Sequence, residues 1–436
     1  MLRNFQKFLF YLIVFLIPIN AKKFLFLFKT PFTIPLSLNA AFLYVLDILI
    51  VTFLLLNISR FKTFFSFPKI FYLFLIIVFI SGFFAPNFLI FIYSFFHLLL
   101  FALFGGAVVN LIAQKEISLE KIFLLLGISS FLESIIGILQ FKNQASIGLK
   151  FLGESILGPD TQGVARVSTP FGNFLRVYGT MPHANILATF LVVGFLSFVY
   201  LFFKKQKAYY LIPLTFIFYG LFLTFSRSGM VIFLLGTLAV VFLGIIKNFR
   251  KNVLIFLGTL VLILFTLYLI FGYLLFARFY ISTKEPSFTY RVDYNLIGWN
   301  LIKKYPLLGV GLGNQILASL KNHFYQDQKL YSSWQWQPVH NIYLLIASET
   351  GIIGLVLFCL FLVLVIQKSL VIIKNNFFKN NLNVLDLYFP LLILILILAV
   401  GIVDHFPWDL ESGALLFFLF LGIVKGKTKC LSNQQS

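Results

Sequence analysis

Apolar residues run along this chain in long unbroken stretches, interrupted at intervals by short polar or basic clusters. Twelve stretches stand out, near residues 5–20, 36–56, 69–85, 88–110, 119–141, 184–202, 208–224, 229–246, 253–275, 341–366, 386–404 and 413–424. A hydrocarbon layer about 30 Å thick takes roughly 20 residues of helix. The pattern therefore predicts an all-α polytopic membrane protein with about twelve transmembrane helices. The first stretch has the apolar character of a secretory leader, but no small-residue cleavage motif follows it, and it is read as a retained helix. Two intervening gaps are long, 142–183 and 276–340. Connections of more than about 15 residues in a compact protein usually carry function. Inside the second gap, Val292, Leu296, Trp299 and Ile302 recur close to the helical period between Tyr290 and Lys304. That spacing predicts an amphipathic helix along the membrane surface, in a large, partly helical loop between helices 9 and 10. No internal repeat or low-complexity linker divides residues 1–436, which read as one domain.

Composition agrees. Hydrophobic residues make up 60% and charged residues 11% of the chain, with a mean hydropathy of +0.99; soluble domains carry about 25% charge. The formal charge of +20 would suit a nucleic-acid partner only if it were gathered on a soluble face. Instead it punctuates the spans, as at Lys204, Lys205 and Lys207, at Lys247, Arg250 and Lys251, and at Lys425, Lys427 and Lys429. Every second short loop carries such a group, the distribution of cytoplasmic loops. Both termini are accordingly expected inside, with 142–183, 225–228, 276–340 and 405–412 on the outer face. The two cysteines, Cys359 and Cys430, support neither a disulfide framework nor a thiolate metal site.

With that orientation the ionisable residues sort by side. His183, His323, His340 and His405 fall outside with Glu154, Asp160, Glu285, Asp293, Asp327, Asp404, Asp409 and Glu411, whereas the inner loops hold mostly lysine. Few ionisable residues lie within the spans: Asp47, His97, Glu133, Glu349 and Asp386. Chemistry, if there is any, belongs to the outer face.

Six segments carry the polar groups that such chemistry would need. TFSRSGM, 224–230, is a tight outer turn in which Arg227 offers a permanently charged planar fork suited to phosphate oxygens, with Ser226 and Ser228 as further donors. Arg291 opens the surface helix, with Arg278 before it; a diphosphate needs more than one such fork. RVYGTMPHAN, 176–185, puts Arg176, His183 and Asn185 at a helix start, where anions are attracted. YPLLGVGLGN, 305–314, lacks the strand and the acid of a dinucleotide loop; it reads as a turn back toward the membrane whose backbone N–H groups, around Gly311 and Asn314, are open to an anion or sugar. HFPWDLESG, 405–413, reads first as an aromatic belt with acidic flanks and second as the lining for a polar substrate. In WQPVHNIYLLIASETGIIGL, 336–355, Pro338, His340 and Asn341 mark a helix start. Glu349, nine residues and about 13 Å further along, faces the other way. Glu349 reads as a buried hydrogen-bonding group, and His340, at the water boundary, as a general base.

Taken together, SRSG (226–229), the Arg291-to-Trp299 helix, PLLGVGLGN (306–314) and HNIYLLIASETGIIGL (340–355) resemble the O-antigen ligase and polymerase superfamily, over about residues 176–365 by motif and nearly the whole chain by topology. The resemblance implies a metal-independent, cofactor-free glycosyltransferase of the cytoplasmic membrane. It would move a glycan from undecaprenyl diphosphate to an acceptor hydroxyl on the extracytoplasmic side. His340, Arg227 and Arg291 would act in catalysis, and Arg176, His183, Asn185, Ser226, Ser228, Gly311, Asn314 and Asn341 would bind substrate. Its partners would be a lipid-linked donor, a glycolipid, glycan or protein acceptor and membrane lipid, with no nucleic acid and no metal. Ligase, polymerase and protein oligosaccharyltransferase remain open within the family. A polyprenyl-lipid transporter is the reading of another class; it would place its binding groups near the bilayer midplane.

Overall fold

The computed structural model describes residues 2–60, 65–158, 161, 163–169, 172–279, 286–377 and 384–432, and the side chains of Arg278, Asp160 and Glu285 lie outside what it describes. Within these bounds each of the twelve apolar stretches contains a helix. In chain order these are α1 (Leu2–Leu16), α2 (Val45–Leu56), α3 (Lys69–Ser81), α4 (Phe88–Ala113), α5 (Leu119–Asn143), α6 (Ala184–Lys205), α7 (Leu214–Leu223), α8 (Arg227–Ile246) and α9 (Arg250–Phe279). After the non-spanning α10 (Pro286–Lys304), α11 (Gln315–Lys321) and α12 (Phe324–Asp327) come α13 (Ile342–Phe377), α14 (Leu385–Val400), the short α15 (Phe406–Asp409) and α16 (Glu411–Ser432). Six of them are long and apolar enough to cross a membrane, and four apolar helices are shorter. The chain is a multi-pass membrane protein.

The all-α expectation needs one correction. Residues 36–44, read as the first half of a span, form a 3₁₀ turn and then β2 (Ala40–Tyr44), which pairs antiparallel with β1 (Lys22–Leu27). A second ribbon, β3 (Arg166–Thr169) with β4 (Gly172–Leu175), lies in the 142–183 connection. Both ribbons are too short to span a bilayer.

α6 is the axis of the bundle. Its whole apolar window is buried, as expected of a helix that is apolar on every face, and α5, α7, α8 and α14 surround it. Close approach depends on small residues: a Cβ at Gly194 would strike the Ser130 hydroxyl, and one at Gly220 the Ser134 side chain. Tyr200 and Lys204 at the far end of α6 meet Asp386 of α14 at 2.8 and 2.7 Å, and Lys427 of α16 completes the group at 3.0 Å. Lys205–Glu120, Arg3–Glu116 and Arg60–Glu116 ion pairs lie toward the same end. The basic clusters thus collect at one end of the bundle, and the histidines His183, His340 and His405 at the other.

α10 departs from a simple surface helix. Val292, Leu296 and Trp299 are exposed as the period predicts, but Tyr294, Ile297 and Leu301 form a second apolar face, buried against the residues that follow, and Ile302 is buried with them. The helix is clamped on one side and presents an apolar strip on the other.

α13 is opened at Gly351, whose φ of 73° and ψ of 176° break the helix. The glycine run fills the gap. Val310 N–H donates to Ser348 O at 3.1 Å, Gly311 N–H to Glu349 O at 2.8 Å, and Ile352 N–H to Pro306 O at 2.8 Å. Backbone groups freed at membrane depth must find partners inside the protein, and here a loop supplies them. A Cβ at Gly351 would overlap the Leu307 carbonyl in a conformation that only glycine adopts readily. Gly351→Ala is expected to cost roughly 2 kcal/mol or more, read as a lowered melting temperature of the solubilised protein. Gly258→Ala, inside a helix with open space around it, should not lower the melting temperature.

Candidate active site

Three helix starts meet at the histidine end of the bundle. At the head of α6, His183 is the N-cap: its Nδ1 accepts the Asn185 N–H at 3.2 Å, which satisfies one of the orphan donors of the first turn. At the head of α8, Phe225 takes a left-handed φ of 48° and Ser226 caps the helix through Gly229 N–H at 3.2 Å, so that Arg227 is the first helical residue and is partly buried. At the head of α13, Asn341 is the cap, accepting from Tyr343 N–H at 2.9 Å and Leu344 N–H at 3.1 Å and donating to Ile402 O at 3.0 Å.

Asn185 ties two of these starts to the 401–409 turn. Its Oδ1 accepts from Arg176 Nη2 at 2.6 Å and from the Ser226 hydroxyl at 3.1 Å, while its Nδ2 donates to Asp404 Oδ2 at 3.0 Å. Ser228 joins through Ser226 at 3.2 Å. Arg176 also gives its Nε–H to Thr224 O at 2.7 Å. Arg176 and Asn185, expected to bind substrate, therefore have these groups engaged within the chain, and both are buried.

The imidazoles stand beside this network. His340 Nδ1 lies 2.8 Å from Pro338 O; a carbonyl can only accept, so Nδ1 carries the proton and neutral His340 keeps its lone pair on Nε2. The ring stacks on Tyr294 at 5.1 Å between centroids and 15° between planes, and meets His405 edge-on at 4.9 Å. Burial and the neighbouring His405 lower the His340 pKa to about 4. Burial, Arg176 and then His340 and Arg291 lower that of His183 to about 3 against the pull of Asp404. His405 differs. Burial opposes its charge, but Asp409, with both carboxylate oxygens at 2.7 and 2.8 Å from Nδ1, raises it to about 9. Burial would raise Asp404, yet His340, His405, His183 and the Asn185 amide together hold it at about 2. Its Oδ1 also accepts the His405 N–H at 2.9 Å.

The structure thus brings His183 into electrostatic range of His340, Arg291, Arg176 and Asp404, with Ser226 and Ser228 joined to them through Asn185 and Arg227 lying between these two serines in sequence. Gly311 and Asn314 sit elsewhere. The N–H groups read as open to a ligand are taken: that of Gly311 by Glu349 O, and that of Gly313 by Glu349 Oε1 at 2.9 Å. Asn314 accepts from Asn87 N–H at 3.0 Å and donates to Leu312 O at 3.2 Å, fixing the loop to the head of α4. Asn341 likewise serves as cap and brace. Sequence reasoning assigned no role at this site to Asp404 or Tyr294 and gave His405 and Asp409 only a second reading as part of a polar-substrate lining; the four-residue spacing of His405 and Asp409 was the available sign. At neutral pH the site offers a neutral imidazole with a bare Nε2, an imidazolium held by a carboxylate, and guanidinium groups nearby.

Residues 212–359 match the model of the O-Antigen ligase family. The matched segment includes the SRSG turn, α10, the glycine run and the head of α13, so the resemblance read from the motifs holds over that part of the chain. No curated protein matches the sequence.

The pairing at His405 yields a sign that can be measured. Asp409→Asn removes the largest of the charges that raise His405 and leaves Asp404 and Glu349 to oppose burial, so its titration should fall from about 9. Histidine-selective NMR of the labelled protein reads this directly. The stability His405 gains from its raised pKa is complete below its unfolded value and is lost as pH climbs through about 9.

Proposed function

We propose that this protein is an O-antigen ligase-like glycosyltransferase that moves a glycan from undecaprenyl diphosphate to an acceptor hydroxyl on the outer side of the cytoplasmic membrane. The observation that carries the reading is His340: a neutral imidazole whose Nδ1 is fixed by Pro338 O at 2.8 Å, inside the segment that matches the O-Antigen ligase family and within electrostatic reach of Arg291. Orientation is supported by the basic ion pairs at the opposite end of the bundle, since lysine and arginine mark cytoplasmic ends.

In this reaction the acceptor oxygen attacks the anomeric carbon, the bond from that carbon to the diphosphate oxygen breaks, and the acceptor proton passes to His340 Nε2. Charge develops on the departing diphosphate. Arg291 and Arg227 stabilise it as fixed donors, which act more strongly in a site shielded from water. Asp404 serves as counter-ion and brace, because Oδ1 and Oδ2 already accept from His405 N–H and Asn185 Nδ2. A single displacement of this kind inverts the anomeric centre. The polyprenyl chain stays in lipid while the exposed apolar strip of α10, Val292, Leu296 and Trp299, lies along the boundary.

His340→Ala should lower transfer by about 10²- to 10⁴-fold, the usual worth of a general base, with insertion and melting unchanged; wild-type turnover from a well-folded variant removes His340 from the reaction. A bidentate Arg291 predicts that Arg291→Lys is nearly as inactive as Arg291→Ala. Because the folded His340 pKa is about 4, kcat/KM should hold level from pH 7 to 5 and fall only as pH approaches that value. An acid limb centred near 6.5 would point to a different base.

A further inference from the structure

A cavity of about 190 Å³ opens on the far side of Pro338 and Asp409 from His340. Its wall combines the rings of Phe42, Tyr44, Tyr93 and Trp408 with the carboxylate of Glu411. On the scale where one water needs about 10–15 Å³, it has room for on the order of ten waters or for a sugar ring. Glu411 is 8% exposed, and neither of its carboxylate oxygens has a hydrogen-bond partner among the described residues. The neighbouring Asp47 is only half satisfied: Oδ2 accepts from Tyr44 N–H at 3.0 Å and meets His97 Nε2 at 3.2 Å, but buried Oδ1 meets nothing. Lys22, whose ammonium sits over the Phe42 ring at 4.5 Å, is the cation that acts on Glu411.

Buried carboxyl oxygens without partners are costly, and a carboxyl accepts hydrogen bonds whether or not it holds its proton. The missing partner must therefore bring hydroxyl or ammonium donors, and it must present an apolar face to four aromatic rings. A pyranose ring does both, with C–H groups on its faces and O–H groups on its rim. A diphosphate does neither, since it has no apolar face and, when fully ionised, no hydrogen to donate to the carboxyl oxygens. The anionic leaving group belongs with the arginines, across the imidazole pair. The cavity shares its boundary with that pair, because Pro338 holds His340 through its carbonyl and Asp409 holds His405.

We propose that this cavity is an acceptor-sugar subsite, in which Glu411 meets hydroxyls of a pyranose ring that adjoins the reacting one in the acceptor glycan. The proposal rests on the transferase reading for the word acceptor, but its binding chemistry does not require turnover.

The test is equilibrium binding without any donor. Purified full-length protein in nanodiscs of phosphatidylethanolamine and phosphatidylglycerol is titrated with the methyl glycosides of glucose, galactose and N-acetylglucosamine, followed by saturation-transfer NMR. At least one glycoside should bind saturably, at least tenfold more weakly to Glu411→Gln and to Leu410→Trp, which narrows the cavity from a half-buried wall position, and undisturbed by inorganic pyrophosphate. Melting curves confirm that each variant is folded, and the second variant decides if the first is not. Absence of glycoside binding, equal binding by the folded variants, or displacement by pyrophosphate overturns the subsite. A separate assay for release of polyprenyl diphosphate from a lipid-linked glycan reports on the transferase reading. Transfer without glycoside binding would reject the subsite alone; binding that depends on Glu411 without transfer would reject its role as an acceptor site along with that reading.

Discussion

One buried negative charge, Asp404, holds the histidine end of this molecule together. Near it stand the neutral imidazoles of His183 and His340 and the charged groups of His405, Arg176 and Arg291, which would otherwise lack a counter-charge in a low-dielectric interior. Asp404 is 6% exposed and is bonded to Asn185 and to the His405 backbone. Its carboxylate sits between the head of the axial helix and the turn before α15, so the same contact serves folding and electrostatics. Buried charges are tolerated where pairing and hydrogen bonds are complete, and here both are supplied from segments more than 200 residues apart in sequence.

The site is built from helix beginnings. The heads of α6, α8 and α13 each carry a capping side chain, and each leaves a partial positive charge at the same end of the bundle. The division of labour among the imidazoles follows from burial and from the charge nearest each ring. Burial keeps His340 and His183 neutral, aided by His405 beside the first and Arg176 beside the second, against the pull of Asp404. His405, four residues before Asp409 on a short helix, is kept charged. Two rings in edge contact at 4.9 Å thus differ in protonation because of one carboxylate.

Much of this was legible in the chain. Length and period located the long apolar helices among the described residues, because burying backbone in lipid leaves little choice but helix. His340 and Asn341 at the mouth of a span, and Ser226 and Arg227 in a turn, were visible as polar groups at apolar borders. What escaped depended on distant partners. The strand at 40–44 is apolar enough to pass for the start of a span, and only its pairing with 22–27 distinguishes it. Gly311 looked available because nothing local consumes its N–H; the acceptor is a carbonyl on α13, exposed by a break 40 residues downstream. Arg176 looked like an anion ligand because its partners, Thr224 and Asn185, are assembled only when α6 and the α7–α8 turn dock.

The break at Gly351 also limits how the protein can move. Since the 306–311 loop supplies the hydrogen bonds that α13 has given up, lifting that loop would strand peptide groups of both segments in hydrocarbon, each at a cost of several kcal/mol. The 306–311 loop is therefore stitched to α13 through Val310, Gly311 and Pro306 and does not hinge away from it.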